Sequence, residues 1–221
     1  MIYNIAQKIY DYVVRDHLPK RLQIKNGVAV PHPHRLLDIN YHYSDTDYED
    51  VLLDQLRRVV TADDDVIIVG GGYGVSMVLA AEHSYPNGLI TVIEASVEQV
   101  KYLQDLAGHY DIEDRVRIIH GAVGTPRNPY GELGDVKTVN FEEIPAGDVF
   151  ILDCEGGELA AIENLDKLSK KPEHIVVETH GVFNSPPDKV KDYLQSQGYS
   201  ARETGVENEA KGMIILTAAR E

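Results

Sequence analysis

The stretch Val66-Ile67-Ile68-Val69-Gly70-Gly71-Gly72-Tyr73-Gly74-Val75 decides the fold, because four β-branched residues lead directly into a glycine-rich turn. Such an apolar run is typical of a strand buried on both faces of a parallel sheet. Gly70, Gly72 and Gly74 permit positive φ and let a ligand approach the backbone without meeting a Cβ atom. A helix after the turn adds free N–H groups. The sequence therefore predicts a nucleotide-like ligand at the first strand–helix turn of an open α/β sheet.

The next predicted strand, Leu89–Ile93, ends in Glu94 and Ala95, and Glu94 lies 24 residues after the first glycine of the turn. A carboxylate there can accept hydrogen bonds from both hydroxyls of a ribose. We therefore expect Glu94 and Ala95 to bind the cofactor. The alternative is that Glu94 is an ordinary exposed acid at the end of a strand. NAD and S-adenosylmethionine both fit, since each carries an adenosine ribose. A complete dinucleotide fingerprint also needs a small residue at Val75 or Met77.

Short β-branched runs alternate with helical patterns along the rest of the chain, which indicates a parallel sheet with crossover helices. The rhythm changes at the C-terminal end, where Tyr199–Val206 and Met213–Thr217 are joined only by a polar turn. These two runs predict a hairpin that places an antiparallel strand in the sheet. The parallel strands are predicted at Val66–Val69, Leu89–Ile93, Val116–Ile119, Val149–Leu152 and Ile175–Val177.

The first 60 residues differ, because helical spacing there occurs in two pieces around a polar segment rich in Tyr and His, Pro31–Tyr48. We predict a single domain over residues 1–221, with an N-terminal helical extension at 1–60 and an α/β core at 61–221. Part of the polar segment suits a substrate lid, with a solvated loop as the alternative. The helical positions are Ile2, Ile5, Ile9, Tyr12 and Val13, then Val51, Leu52, Leu56 and Val59; the lid residues are Tyr41, His42, Tyr43 and Tyr48.

Composition argues against several classes of function. With 21 Lys and Arg against 36 Asp and Glu, the formal charge is −15, which repels a phosphate backbone and disfavours nucleic acid as a partner. Cys154 is the only cysteine, so no disulfide within the chain and no multi-cysteine zinc cluster can form. The pair His32 and His34 lacks a helix and a third ligand for zinc. No leader pattern or apolar span is visible, so we expect a cytoplasmic protein.

The downstream half bears on the choice of cofactor. Val149–Leu152 continues into Asp153-Cys154-Glu155-Gly156-Gly157-Glu158, and a later strand runs into Glu178-Thr179-His180. This order resembles the FkbM family of class I S-adenosylmethionine-dependent methyltransferases, whose mark is a strand ending in Asp-x-Glu-Gly-x-Glu. The resemblance covers roughly Asp65 to Tyr199. It implies a Rossmann-like sheet of seven strands, S-adenosylmethionine as cofactor, and methylation of a hydroxyl on a small molecule or a glycan.

The resemblance also implies roles for individual residues. Gly121 and Ala122 should lie against the adenine, and Asp153 should contact the cofactor. Ile68 departs from the family, which usually has an acidic residue two positions before the first glycine. Gly72-Tyr73 stands where the family often has Asn. Contacts normally made by the missing acid must therefore come from other residues.

Methyl transfer requires an acceptor held in line with the sulfonium and, for a hydroxyl, removal of its proton. Ligands of open α/β sheets bind at the carboxyl ends of strands. We therefore expect four catalytic residues there, with Asp153 or His180 as the general base. Glu158 has an alternative role, because an acidic residue at the start of a helix is stabilised by the helix dipole. Mg²⁺ suits neighbouring carboxylates, although no motif assigns a metal site. The four residues are Asp153, Glu155, Glu178 and His180.

Two other functions stay open at this point. An NAD-dependent oxidoreductase is disfavoured by the incomplete fingerprint and the terminal hairpin. A methyltransferase-fold binding protein without turnover stays open because of Ile68. The sequence identifies neither the acceptor nor the oligomeric state.

Overall fold

A computed structural model describes residues 10, 21–32, 44–124, 133 and 135–220. The chain forms two compact units, Met1–Tyr48 and Glu49–Glu221. Some predictions lie outside the described residues: the first helical pattern at Ile2, Ile5, Ile9, Tyr12 and Val13, the second histidine of the pair, His34, and the lid residues Tyr41, His42 and Tyr43.

The described part of the first unit is a small sheet of three strands. Strand β1 (Arg21–Lys25) pairs antiparallel with β2 (Val28–His32) and parallel with β3 (Ser44–Asp45). The helical pattern of the first 60 residues does not predict this sheet. The signal for its hairpin is Asn26-Gly27, since both residues have positive φ, as a two-residue type I′ turn requires.

Seven strands form one sheet in the second unit, in the order β6-β5-β4-β7-β8-β10-β9. The first five are parallel, and β10 runs antiparallel between β8 and β9. This confirms the predicted mostly parallel sheet with a C-terminal hairpin. The strands are β4 (Val66–Val69), β5 (Ile90–Glu94), β6 (Val116–His120), β7 (Val149–Leu152), β8 (His174–His180), β9 (Tyr199–Asn208) and β10 (Met213–Arg220).

Helices connect the parallel strands, and their ends follow local sequence rules. Ser96 caps its helix by accepting from the Gln99 N–H, and Pro187 begins another helix that Gly198 ends with positive φ. None of the described helices has the length and apolar character needed to cross a membrane. The helices are α1 (Asp50–Val59), α2 (Val75–His83), α3 (Val97–His109), α4 (Glu158–Glu163) and α5 (Pro187–Ser196).

Helix α1 belongs to the second unit, although its sequence pattern groups it with the N-terminal extension. The N–H groups of Val51 and Leu52 donate to the Glu207 carboxylate in β9, at 3.0 and 3.3 Å. A carboxylate at this end of a helix satisfies free N–H groups and is favoured by the helix dipole. The helix is thereby fixed to the sheet edge by a side chain 155 residues further along.

The position of the site follows from the strand order. Strand β4 has β5 on one side and β7 on the other, so the direction of the strand order changes there. All residues of β4, β5 and β7 are buried, so these three strands form the buried centre of the sheet. Ligands of open α/β folds bind in the crevice outside such a switch point, at the carboxyl ends of the strands.

Candidate functional site

The glycine turn lies at the carboxyl end of β4, as predicted. Gly70 has φ +95°, and a Cβ atom there would lie 1.7 Å from the Asp153 carbonyl oxygen. The close approach of β4 and β7 therefore requires glycine at this position for packing alone. Gly72 and Gly74 also have positive φ, and the Gly72 carbonyl accepts a hydrogen bond from the Gln99 side chain at 2.8 Å.

Glu94 lies beside this turn, where it stabilises the protein itself. Its Oε2 accepts the Gly71 N–H at 2.9 Å, and its Oε1 accepts the Ser96 N–H at 2.7 Å. The residue is only 8% exposed. Each carboxylate oxygen keeps a further acceptor position, which is what a ribose hydroxyl would use. The expectation of an ordinary exposed acid is therefore wrong.

The predicted adenine-binding residues follow β6. Gly121 and Ala122 are buried, and their N–H groups donate to the carbonyls of Glu94 and Lys137, both at 2.9 Å. These two N–H groups are thus engaged within the protein, and the segment offers apolar surface rather than free donors. The Nε2 atom of His120, the last residue of β6, lies 3.2 Å from the Ala95 carbonyl oxygen.

The acidic residues and the histidine predicted to be catalytic lie together at the ends of β7 and β8. His180 is at the centre of this acidic cluster, which comprises His180 and the four carboxylates around it. The His180 Nε2 atom is 3.4 Å from Glu178 Oε1, 3.7 Å from Asp153 Oδ1 and 3.8 Å from Glu155 Oε2. Its Nδ1 atom is 2.6 Å from Glu158 Oε1, which completes the cluster.

Glu158 is the member of the cluster whose role the sequence does not reveal. It starts α4, as a helix-start acid would, and its Oε1 accepts the Gly156 N–H at 3.1 Å. Positive φ at Glu155 and Gly156 turns the chain between β7 and α4. The same oxygen of Glu158 thereby also meets the imidazole. The only sequence signal is the last acid of Asp-x-Glu-Gly-x-Glu.

The cluster has an accessible and a buried part. The side chains of Asp153 and Glu155 are 26% and 27% exposed. Those of His180, Glu178 and Glu158 are 3%, 1% and 0% exposed. A molecule in solution can therefore reach Asp153 and Glu155, whereas the other three residues lie beneath them.

The buried charges determine the protonation of the cluster. Burial disfavours an imidazolium, but the hydrogen bond to Glu158 and the adjacent Glu178 carboxylate outweigh it and raise the pKa of His180 to about 11. Burial and then the negative charge of Glu178 raise the pKa of Asp153 well above its usual range. For Glu158, burial opposes ionisation, but the His180 interaction lowers the pKa. An imidazolium cannot accept a proton, so this arrangement does not meet the expectation that His180 is the general base.

Cys154 lies between these residues but is not set up as a nucleophile. Burial, followed by the negative charge of Glu158, raises the pKa of its thiol well above the usual value. The thiolate is the reactive form of cysteine. Cys154 therefore stays a protonated, partly buried side chain.

The comparisons with known proteins bear on the fold. No protein-family model and no curated protein matches this chain. Among solved structures, a precorrin-6y C5,15-methyltransferase from Geobacter metallireducens GS-15 superposes with a TM-score of 0.56 at 18% identity, over 80% of this chain and 89% of that one. An O-methyltransferase from Bacillus cereus, in complex with SAH, gives 0.55 at 13% identity over 78% and 81%. A ribosomal protein L11 methylase from Lactobacillus delbrueckii subsp. bulgaricus gives 0.57 at 14% identity over 80% of both chains.

These likenesses show that the chain has the Rossmann-like fold found in methyltransferases of different acceptors. At identities of 13 to 18%, they establish the architecture alone. No family match accompanies the resemblance to the FkbM family.

Proposed function

We propose that this chain is an S-adenosylmethionine-dependent methyltransferase that acts on a hydroxyl of a small molecule or a glycan. The observation that carries the proposal is the juxtaposition of two features at one edge of the sheet. The glycine turn after β4 meets Asp153, the first residue of the acidic cluster, at the switch point of a methyltransferase-like sheet. A cofactor at the turn would thus lie beside carboxylates that an acceptor can reach.

The cofactor would occupy the carboxyl ends of β4, β5 and β6. Its ribose would use the remaining acceptor positions of Glu94, beside Ala95, and its adenine would lie on the apolar surface of Gly121 and Ala122. The methionine part would extend along the glycine turn, Gly70–Gly74, toward Asp153. The O-methyltransferase from Bacillus cereus, whose structure contains SAH, supports this cofactor, because the two chains share the fold.

The chemistry needs a positioned hydroxyl and a proton acceptor. Bound S-adenosylmethionine would supply an electrophilic methyl group, with S-adenosylhomocysteine as its leaving product, to a hydroxyl oxygen held in line with it. The proton would pass to an ionised carboxylate of the accessible pair Asp153 and Glu155. The raised pKa of Asp153 makes its carboxylate the stronger base once it is ionised. Glu178 and His180 are positioning residues, since they are too buried for an acceptor to touch.

Calorimetry with S-adenosylhomocysteine, S-adenosylmethionine and NAD tests the cofactor. We expect the first two to bind and NAD to be inert. Preferential NAD binding would instead indicate an oxidoreductase. A screen of hydroxylated small molecules and glycans, read out by mass spectrometry as methylated product, then tests turnover. Binding of the cofactor with no product from any acceptor would support a binding protein.

Variants of the accessible carboxylates test the catalytic roles. We expect Asp153→Asn and Glu155→Gln to reduce turnover, and the variant that lacks the main proton acceptor should lose about 10²–10⁴-fold. The affinity of both variants for S-adenosylhomocysteine should change only a few-fold. Glu142→Gln, which alters an exposed carboxylate away from the cluster, is the matched control. A parallel loss of affinity and turnover in Asp153→Asn would assign Asp153 to cofactor binding. Normal turnover in both variants would show that neither Asp153 nor Glu155 is the general base.

A further inference from the structure

The acidic cluster has an excess of negative charge that the described residues do not neutralise with a Lys or Arg. Four carboxylates face a single imidazole within 3.8 Å. In the described part of the chain, no Lys or Arg forms an ion pair with any of these carboxylates. Buried charges are normally paired or bound to metal ions. The arrangement therefore calls for a cation.

Unsatisfied polar atoms point to the place that such a cation would occupy. Within the described residues, His180 Nε2 and Glu178 Oε2 are buried and have no hydrogen-bond partner. Both residues are at least 98% buried. Buried polar atoms without a partner are rare in native proteins. Here they belong to side chains of the same cluster, and Asp153 gives this place its access to solvent.

The other nitrogen of the imidazole is held as in known metal sites. His180 Nδ1 contacts Glu158 Oε1 at 2.6 Å, and Glu158 is itself fixed by the Gly156 N–H. Metal-binding histidines almost always donate their second ring N–H to a carboxylate or carbonyl, which fixes the ring and raises its basicity. With Nδ1 committed to Glu158, Nε2 is the atom directed at Asp153 and Glu178.

We propose that Asp153, Glu178 and His180 bind one divalent first-row transition metal ion. One ligand atom from each residue lies within 4.8 Å of the other two. Ligands about 2.1 Å from a shared tetrahedral ion are about 3.4 Å apart, and His180 Nε2 lies 3.4 Å from Glu178 Oε1 and 3.7 Å from Asp153 Oδ1. The ion takes the place of a proton on Nε2, so its binding releases that proton.

The ligand set distinguishes this ion from Mg²⁺. Mg²⁺ prefers oxygen ligands and usually keeps several waters, whereas an imidazole nitrogen favours first-row transition ions such as Fe²⁺, Ni²⁺ and Zn²⁺. Mn²⁺ lies at the weak end of the same series of affinities. Two carboxylates and one imidazole leave open positions for water at the partly exposed Asp153 side. The bound ion is therefore accessible from solvent.

Mn²⁺ binding to the full chain, without S-adenosylmethionine, tests this site. The protein is treated with a chelator, desalted and titrated with Mn²⁺, and free Mn²⁺ is followed by electron paramagnetic resonance. We expect one ion per chain, with a tenfold excess of Mg²⁺ displacing less than half of it. His180→Asn and Glu178→Gln should weaken binding at least tenfold. His174→Asn, at the opposite end of β8, should bind as wild type.

Since His180 and Glu178 are buried, their replacement could unfold the protein, so circular dichroism accompanies each titration. Asp153→Asn changes a partly exposed side chain and gives a second test with a fold that should persist. A folded wild type without Mn²⁺ binding would overturn the proposal. Binding at wild-type strength in folded His180→Asn or Asp153→Asn would also overturn it. Because no cofactor is present, these outcomes are independent of methyl transfer.

Discussion

Glu94 illustrates how one carboxylate can stabilise a turn and still serve a ligand. It accepts the N–H groups of Gly71 and Ser96, and it is 8% exposed. Removing it leaves two buried donors without an acceptor, and each such group costs about 1–3 kcal/mol. We expect Glu94→Ala to lower the free energy of unfolding by about 2–6 kcal/mol. Urea unfolding measures this change.

The same variant tests the ribose contact, because the charge-assisted acceptor is lost with the carboxylate. We expect the affinity of Glu94→Ala for S-adenosylhomocysteine to fall at least tenfold by calorimetry, at a temperature where the variant is folded. Glu82→Ala, in an exposed position of α2, is the control. Wild-type affinity in a folded Glu94→Ala would contradict the ribose assignment even if its stability were reduced.

The residues of the acidic cluster could be predicted from the sequence, but their protonation states could not. Asp153 and His180 meet because β7 and β8 are parallel neighbours, so their carboxyl ends coincide. The protonation of His180 depends instead on Glu158, which reaches it only through the turn at Glu155 and Gly156. No sequence pattern gives the burial that makes this contact strong.

At the scale of elements, the glycines of the turn have different roles, one in packing and another in ligand binding. Gly70 is required by the Asp153 carbonyl oxygen, so its replacement would disturb the sheet. Gly72 has φ +47°, a conformation that β-branched residues resist and Asn tolerates. We expect Gly72→Val to lower the affinity for S-adenosylhomocysteine at least tenfold in a folded protein, measured by calorimetry and thermal unfolding.

Gly72→Asn separates two causes of this effect. If affinity is lost in Gly72→Val alone, backbone strain is responsible. If both variants lose it, the added side chain occupies the space of the ligand. Unchanged affinity and melting temperature in Gly72→Val would show that the ligand does not approach this turn closely.

A second element-scale feature joins the starts of β4 and β7. Asp148 accepts the Asp65 N–H at 3.0 Å and contacts the Lys170 ammonium. Burial opposes ionisation, but Lys170 and the Asp65 N–H outweigh it and lower the pKa of Asp148. A carboxyl with a lowered folded pKa stabilises the fold above its unfolded pKa of about 3.9. This stabilisation is lost as the pH falls through the folded pKa.

We therefore expect Asp148→Ala to lower the free energy of unfolding by about 1–2 kcal/mol at pH 7. The difference from wild type should narrow as the pH falls below about 3.9, the pKa of an unfolded Asp carboxyl, and through the lower folded pKa. Urea unfolding at pH 7 and at successively lower pH values checks this. Asp114→Ala, at an exposed acid, is the control. A difference that stays constant with pH would show that the charge of Asp148 makes no contribution.

Local signals predicted most elements of the second unit, because caps and β-branched runs act within a few residues. Ser96 and Pro187 begin their helices, and Gly198 ends one, through features of their own side chains and backbone. The hairpin of β1 and β2 was not predicted, since helical spacing on either side outweighed the Asn26-Gly27 signal. The fixing of α1 by Glu207 was not foreseen either, because it joins residues far apart in the chain.

At the scale of the whole molecule, the net charge of the chain helps to predict the class of acceptor, whereas the fold does not. The methyltransferases with this fold act on different acceptors, as their names state. The chain carries a formal charge of −15, with 36 acidic residues against 21 Lys and Arg. Nucleic-acid binding depends on basic residues that neutralise phosphates. We therefore expect a neutral or basic acceptor rather than RNA or DNA.

We expect the dissociation constant for tRNA, measured by filter binding at 150 mM salt, to exceed about 10⁻⁴ M, the weak end of non-specific binding. Lowering the salt should not produce tight binding, because repulsion between like charges grows as screening weakens. A basic RNA-binding protein is the positive control. Micromolar binding that weakens with salt would contradict the prediction. It would require a local cluster of Lys and Arg strong enough to overcome the charge of the whole chain, and it would make RNA the first acceptor to test for methylation.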